Sequence, residues 1–357
     1  MKKSIAGIAV VLALSCSQLQ AETEISGFAS VVGGKVLSGT GVEEFGLEPT
    51  FLANYPTVGF YNEEWTFNPD SKYGLQISSE LTEGLTATAQ MVGRGADDYT
   101  AKFEWAYLSY QVNEHWTIQA GKKRLPLYYY SDFFDVSYAY LWIRPPADNY
   151  TWQIFNYNGV NAQFNYQLDE WAVSGNIYTG QEDDTTNKLL SEFFGSESVR
   201  EIWKNIVGGV LSFNRDWFDL RLTYMTYENE RFRGGVPVLW NGEDSRRGKF
   251  AGISTNIDYN NWILLSELNR LTLDGSDFDT YLVSGGYRIN EWTPYVSYAD
   301  FDSEGEVHST TSVGVRWDFH SSAAFKLQYD DVTDDGYDGG QVAGDSKSIT
   351  FGIDLVF

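Results

Sequence analysis

The feature that most constrains this chain is a repeated unit: an alternating segment, a very short polar turn, an aromatic residue, a second alternating segment, then a longer acidic connection. The short turns are Thr82-Glu83-Gly84, Asn113-Glu114-His115, Leu168-Asp169-Glu170, Asn214-Arg215-Asp216, Asn260-Asn261, Asn290-Glu291 and His320-Ser321-Ser322. Five of them run directly into tryptophan: Trp116, Trp171, Trp217, Trp262 and Trp292. Indole favours the level of lipid headgroups, and a water-soluble sheet has no reason to place it at the same strand end five times. Reading outward from each turn gives paired strands at 72–81 with 85–94, 99–112 with 116–124, 160–167 with 171–179, and 205–213 with 217–227. Further pairs follow at 249–259 with 262–273, 279–289 with 292–301, and 309–319 with 323–332, while 25–33 opens and 346–357 closes the set. These make sixteen strands. An even count, short turns on one side and long loops on the other predict an all-β fold, a transmembrane antiparallel β-barrel.

Alternation assigns the faces. In the last strand Ile349, Phe351, Ile353, Leu355 and Phe357 share one side, and Ser348, Thr350, Gly352 and Asp354 the other. The segment 160–167 separates Val160, Ala162, Phe164 and Tyr166 from Asn161, Gln163, Asn165 and Gln167. With tryptophan at the rim, the apolar side faces lipid and the polar side a water-filled lumen. The segment 99–112 breaks the pattern: Ala106, Leu108 and Tyr110 look outward, which carries Lys102 and Glu104 outward too.

The ends agree with export. Lys2 and Lys3, the apolar run 5–14 and Ala21 read as a secretory signal over 1–21, leaving 22–357 as the barrel. Cys16, the only cysteine, falls in that signal, and Ala13 stands where a lipoprotein signal would carry leucine. The barrel therefore uses neither disulfide nor thiolate. No later stretch approaches eighteen apolar residues, so no transmembrane helix is expected. The formal charge of −24 becomes −26 once Lys2 and Lys3 are excluded. Such acidity argues against nucleic acid as a partner. His115, His308 and His320 stand apart from any paired nucleophile, and no His or Cys cluster has metal-ligand spacing. Neither an enzyme, a cofactor nor a metal centre is expected.

At two places the sequence resembles the Gram-negative outer-membrane porin superfamily. The alternating C-terminus Phe351, Ile353, Leu355 and Phe357 is similar to the signal that the outer-membrane assembly machinery reads. The run Ala120-Gly121-Lys122-Lys123-Arg124-Leu125-Pro126-Leu127-Tyr128 resembles the strand leading into the third, inward-folding loop, and Trp142-Ile143-Arg144-Pro145-Pro146 is similar to a branch of that family. The resemblance implies a passive diffusion channel in the cell outer membrane for small hydrophilic solutes and ions, in contact with membrane lipid and lipopolysaccharide. The chain departs from the pattern in a short second loop, 95–98, where trimeric porins carry a latch, and in lacking their Pro-Glu-Phe-Gly-Gly loop tip. A homotrimer and a single barrel both stay open.

The segment 126–150 holds the candidate site. Tyr128, Tyr129, Tyr130, Phe133, Phe134, Tyr138, Tyr140 and Trp142, with Asp132, Asp135, Asp148 and Arg144, are too aromatic to stand in solvent. One reading folds it into the lumen as a constriction, with Asp132 and Asp135 facing Arg94, Lys123 and Arg124. Its aromatic faces could then make the channel specific for a saccharide or an aromatic acid. The other packs it as a collar at the outer rim. By parity the lumen also receives Arg221, Arg288, Arg316 and Lys326, against Glu80, Asp219, Asp258, Glu267, Asp318, Asp330 and Asp354. That near balance predicts weak ion selectivity, unless these charges only brace the wall. The stretch 189–203 has the spacing of a short amphipathic helix.

Overall fold

A computed structural model describes residues 23–42, 48–54, 57–151, 153–193, 195, 197–303, 306–336 and 343–357. The signal segment 1–21 lies outside the described residues. Sixteen strands run in chain order as β1 (Thr23–Gly39), β2 (Lys72–Thr82), β3 (Leu85–Arg94), β4 (Lys102–Gln111), β5 (Trp116–Arg124), β6 (Asn156–Leu168), β7 (Trp171–Asp184) and β8 (Val199–Arg215). They continue as β9 (Phe218–Arg233), β10 (Arg246–Tyr259), β11 (Trp262–Leu273), β12 (Ser276–Tyr287), β13 (Trp292–Ser303), β14 (Glu306–His320), β15 (Ala323–Gly336) and β16 (Ser346–Val356). Each pairs antiparallel with the next, and β16 returns to β1 from Phe28↔Val356 to Gly39↔Ser346. Closure leaves no unpaired sheet edge, which is what a bilayer requires of strands.

The turns explain the hairpins. Asp169, Asp216, Asn260 and Asn290 adopt φ of 53°, 37°, 54° and 54°, and Gly84 adopts 74°. Asn, Asp and Gly tolerate this left-handed region, which matches the twist of the strands they join. Beside them Trp217, Trp262 and Trp292 remain 43%, 63% and 43% exposed, as an interfacial girdle should. Cross-strand packing uses glycine where a ring must lie flat on the wall. A Cβ at Gly208 would stand 2.3 Å from the Tyr178 ring, and one at Gly248 2.1 Å from Tyr227.

Two expectations need correction. Glu104 does not face outward. The register slips between Gln90↔Trp105 and Met91↔Phe103, so Glu104 is the extra residue of a β-bulge and turns inward. Phe103 stays outside at 54% exposure, whereas Glu104 is 6% exposed. The helix over 189–203 is only Lys188–Phe193. Val199, Ile202 and Trp203 belong to β8, opposite Arg233, Glu230 and Asn229. A short isolated helix gains little against its nucleation cost, whereas the ladder satisfies each of these backbone groups.

Candidate pore and constriction

The loop 126–150 leaves the extracellular end of β5 and crosses the lumen to its far side. Its deepest contact is the Tyr138 hydroxyl, which donates to the Ser321 carbonyl of a short turn at 2.9 Å. Two short 3₁₀ turns, Ser131–Phe133 and Ser137–Ala139, are its only regular structure. Its peptide groups therefore need partners from the wall. Arg316 donates to the carbonyls of Tyr138 and Tyr140 at 2.6 and 2.9 Å. Lys326 donates to those of Ser137 and Trp142 at 2.5 and 2.6 Å, and pairs with Asp354 at 2.9 Å. Arg221 donates to the Pro126 carbonyl at 2.7 Å.

Ion pairs fix the loop at the outer end. Arg94 grips Asp135 through Nε at 2.8 Å and Nη2 at 2.7 Å, and reaches Glu104 through Nη1 at 2.7 Å. Arg124 Nη2 reaches the same Glu104 and Asp135 at 2.9 and 2.7 Å. Burial opposes the charge on Asp135, but the two guanidiniums outweigh it and hold its carboxyl well below the usual range. Two cations and two anions, all nearly dry, satisfy one another.

The other flank of the loop is a dry core. Tyr128, Phe134, Tyr140, Trp142 and Tyr150 pack against Met225, Tyr227, Phe250, Leu265, Leu271, Leu282 and Tyr295 of the inner wall. Three polar side chains of the wall, Glu267, Ser284 and His308, are paired to the loop. Glu267, fully buried on β11, accepts from the Tyr150 hydroxyl at 2.5 Å and the Tyr129 amide at 2.9 Å. Burial pushes the Tyr150 phenol well above its ordinary range, so it stays a donor. Trp142 Nε1 donates to Ser284 at 3.2 Å, and His308 Nδ1 meets Asp148 at 2.6 Å.

Two cavities lie beside the loop. Toward the short turns a cavity of ≈ 440 Å³ lies between Pro126 and Asp132 of the loop and Gln163, Asn165, Ser174, Asn176, Ser212 and Arg221 of β6–β9. Toward the outer mouth a cavity of ≈ 230 Å³ is lined by Arg94, Lys102, Glu104, Lys122, Arg124, Glu182 and Lys188. The wall between them carries Lys123, which donates to Gln119 at 2.8 Å and lies 3.8 Å from the Tyr107 ring centroid. Asn161 joins Gln119 and Asn176 at 3.2 and 3.0 Å. Asp132 is exposed on the loop side.

The residues singled out from sequence thus separate by position. Arg94, Arg124 and Asp135 form the outer anchor, while Asp132 and Arg221 border the open side and Lys123, 9% exposed, lies in the wall between the two cavities. Trp142, Arg144 and Lys326 do not reach the passage: they are 2%, 4% and 0% exposed, sealed by the loop they hold. Tyr129 and Arg316 are likewise engaged between loop and wall, and Arg288 is bound bidentate to Asp258 at 2.6 Å at the opposite rim. Sequence reasoning missed Glu104, whose only signal was the broken alternation of its strand. It also missed Asp70, which carries no motif and accepts from Arg144 Nε at 2.9 Å. The assembly residues Ile353, Leu355 and Phe357 face outward at 44%, 43% and 72% exposure, while the Phe351 ring meets Trp65 and Phe67 edge-on.

No protein-family model matches the chain, and no curated protein matches its sequence. Solved structures do. OmpF of Salmonella typhi, determined in complex with daunomycin, aligns at TM-score 0.62 and 13% identity over 94% of this chain and 98% of its own. The outer membrane channel DcaP of Acinetobacter baumannii aligns at TM-score 0.62 and 10% identity, covering 96% and 99%. An anion-selective porin from Comamonas acidovorans aligns at TM-score 0.59 and 12% identity, covering 95% and 100%. At such identities the likeness carries the architecture: the chain has the closed sixteen-stranded fold of porin-like outer-membrane barrels.

Proposed function

We propose that this protein is a passive diffusion channel of the outer membrane, exported by the 1–21 signal, which passes small hydrophilic solutes and ions along one side of its lumen. The observation that carries this reading is the polar lining that β5–β8 present beside the loop, with cavities toward both ends of the barrel. The loop 126–150 is its constriction, and Asp132 opposite Lys123 sets the charge at the narrow point. One cation and one anion across a gap orient dipolar solutes without strong preference for either ion sign.

An aromatic slide for saccharides or aromatic acids has less support. The loop aromatics Tyr128, Phe134, Tyr140, Trp142 and Tyr150 are buried in the dry core, and Phe133 alone among those described in the loop is as much as 54% exposed. Export would end in assembly through the C-terminal strand. Phe357 exchanges backbone hydrogen bonds with Gly27 at 2.8 and 3.0 Å, at the seam where β16 meets β1. Removing Phe357 should abolish the heat-modifiable barrel in outer-membrane fractions. Lipopolysaccharide and membrane lipid would then surround a single barrel or a homotrimer, which cross-linking in native membranes distinguishes.

Planar-bilayer recording tests the main reading. The folded protein should show discrete, ohmic single-channel steps, and liposomes containing it should swell in small sugars but not in large ones. A correctly folded barrel without steps would refute the channel.

A further inference from the structure

The first connection, 40–71, has no motif, yet it reaches the constriction. Its ribbon, Phe51–Asn54 paired with Gly59–Tyr61, and the following Asp70 surround Arg144 of the loop. Arg144 Nε donates to Asp70 Oδ2 at 2.9 Å, Nη1 to Asp330 at 3.3 Å and Nη2 to Thr350 at 3.4 Å. Its guanidinium lies 4.8 and 5.6 Å from the Phe51 and Tyr61 ring centroids. The Tyr61 hydroxyl donates to the same Asp70 oxygen at 2.9 Å. Asp70, Tyr61 and Arg144 are 6%, 0% and 4% exposed. A guanidinium this dry needs both carboxylates, and each carboxylate needs it.

The contact continues toward the open side. Arg144 stands two residues after Trp142, whose ring lies 5.8 Å from the Tyr130 ring in an edge contact, and the Tyr140 ring lies 5.5 Å from that of Tyr130. Tyr130 stands two residues before Asp132. We infer that Asp70 and Tyr61 are positioning residues of the constriction: they fix Arg144, and through it the limb 139–147 and the Asp132 turn, so the first loop sets the steadiness of the passage. This rests on the channel reading above, since it assigns a role within that channel.

Asp70→Asn keeps the shape of the side chain and removes its charge. The test compares it with wild type in two independent readouts, after heat-modifiability confirms a folded barrel. Amide hydrogen exchange over 139–147 should accelerate by about tenfold or more as that limb opens locally. Open-channel current noise should rise and the voltage that closes the channel should fall. Tyr61→Phe, which removes only the hydroxyl, should move both in the same direction by less, and it decides on the same readouts if Asp70→Asn fails to fold. Unchanged exchange in a folded variant overturns the inference. Faster exchange with unchanged noise and closing voltage overturns the claim that the first loop governs the passage. A folded wild type that never conducts sinks the channel reading instead, while exchange still judges the clamp.

Discussion

The inner wall has two halves that obey different rules. Across β5–β7 it presents Thr117, Gln163, Asn165, Ser174 and Asn176 to the open space, while Gln119 and Asn161 are buried beside them and Tyr157 and Tyr178 join the loop's core. Across β9–β13 it presents Met225, Phe250, Leu265, Leu271, Leu282 and Tyr295, and the loop covers it. The outer faces of the two halves are alike: Ile118, Val160 and Ile177 on one, Leu222, Ile253 and Leu268 on the other, all more than a third exposed. The difference therefore lies inside. Period-two alternation says which side chains point inward, but whether inward means wet or dry depends on what else occupies the lumen. Here the loop converts part of the lumen into a core, and in the proposed channel the passage runs along the rest.

The largest expected effect tests the dry half directly. Trp142→Ala should lower the unfolding free energy by about 3–5 kcal/mol, as for other fully buried large-to-small changes. Gln163→Ala on the polar half should stay within about 0.5 kcal/mol. Urea unfolding in lipid vesicles measures both, and equal costs would abolish the distinction between the halves. Glu267→Leu is the next largest. It leaves the Tyr150 hydroxyl and the Tyr129 amide without their acceptor. Each orphaned group costs about 1–3 kcal/mol, so this leucine should destabilise although it adds apolar surface to an apolar wall. A stabilised Glu267→Leu barrel would mean that loop and wall are not locked there.

Smaller effects belong to the wet half and should appear in current rather than in stability. Lys123→Glu should move the reversal potential in a salt gradient toward cations, and Asp132→Lys toward anions. Each shift should be about twofold in permeability ratio near 0.1 M salt and shrink near 1 M, where the screening length falls from about 10 Å to about 3 Å. If the same substitutions at Arg316 or Lys326 give larger shifts, the passage runs elsewhere.

Much of this was legible in the sequence. The turns Asn260-Asn261 and Asn290-Glu291, with tryptophan after each, locate hairpins to within a residue or two, because turn geometry and the lipid interface act locally. The contrast between the halves also left a trace. The strand β6 alternates strictly through 160–167, whereas β11 reads Trp262-Ile263-Leu264-Leu265, then Leu268, Leu271 and Leu273, with apolar residues on both faces. A strand apolar on both sides is buried on both sides. The partners of charged residues were not legible. Arg316 and Lys326 look like lumen cations, but loop carbonyls, which have no sequence signature, take them out of solution. Asp70 finds Arg144 across 74 positions, and Glu104 turns inward only because of a bulge.

The smallest expected effect is an absence of change, at the outer anchor where the halves meet. Asp135 lies between Arg94 and Arg124, and its carboxyl is held well below the usual carboxylate range. A group whose folded value is depressed contributes stability that is complete above its unfolded value, about 3.9 for Asp, and is lost only as pH falls through the folded one. Acidification from neutrality to about pH 4.5 should therefore leave the anchor closed and the conductance at constant salt unchanged. Below the unfolded value the linkage begins to act, and the loop should loosen progressively. Asp135→Asn removes the charge at every pH, so it should show the loosened state at neutrality and no further change down to that point. Single-channel records of both proteins across this range give the comparison. If the wild type opens wider already near pH 5, some other group controls the anchor, and the charge cluster is not what separates the dry half from the wet one.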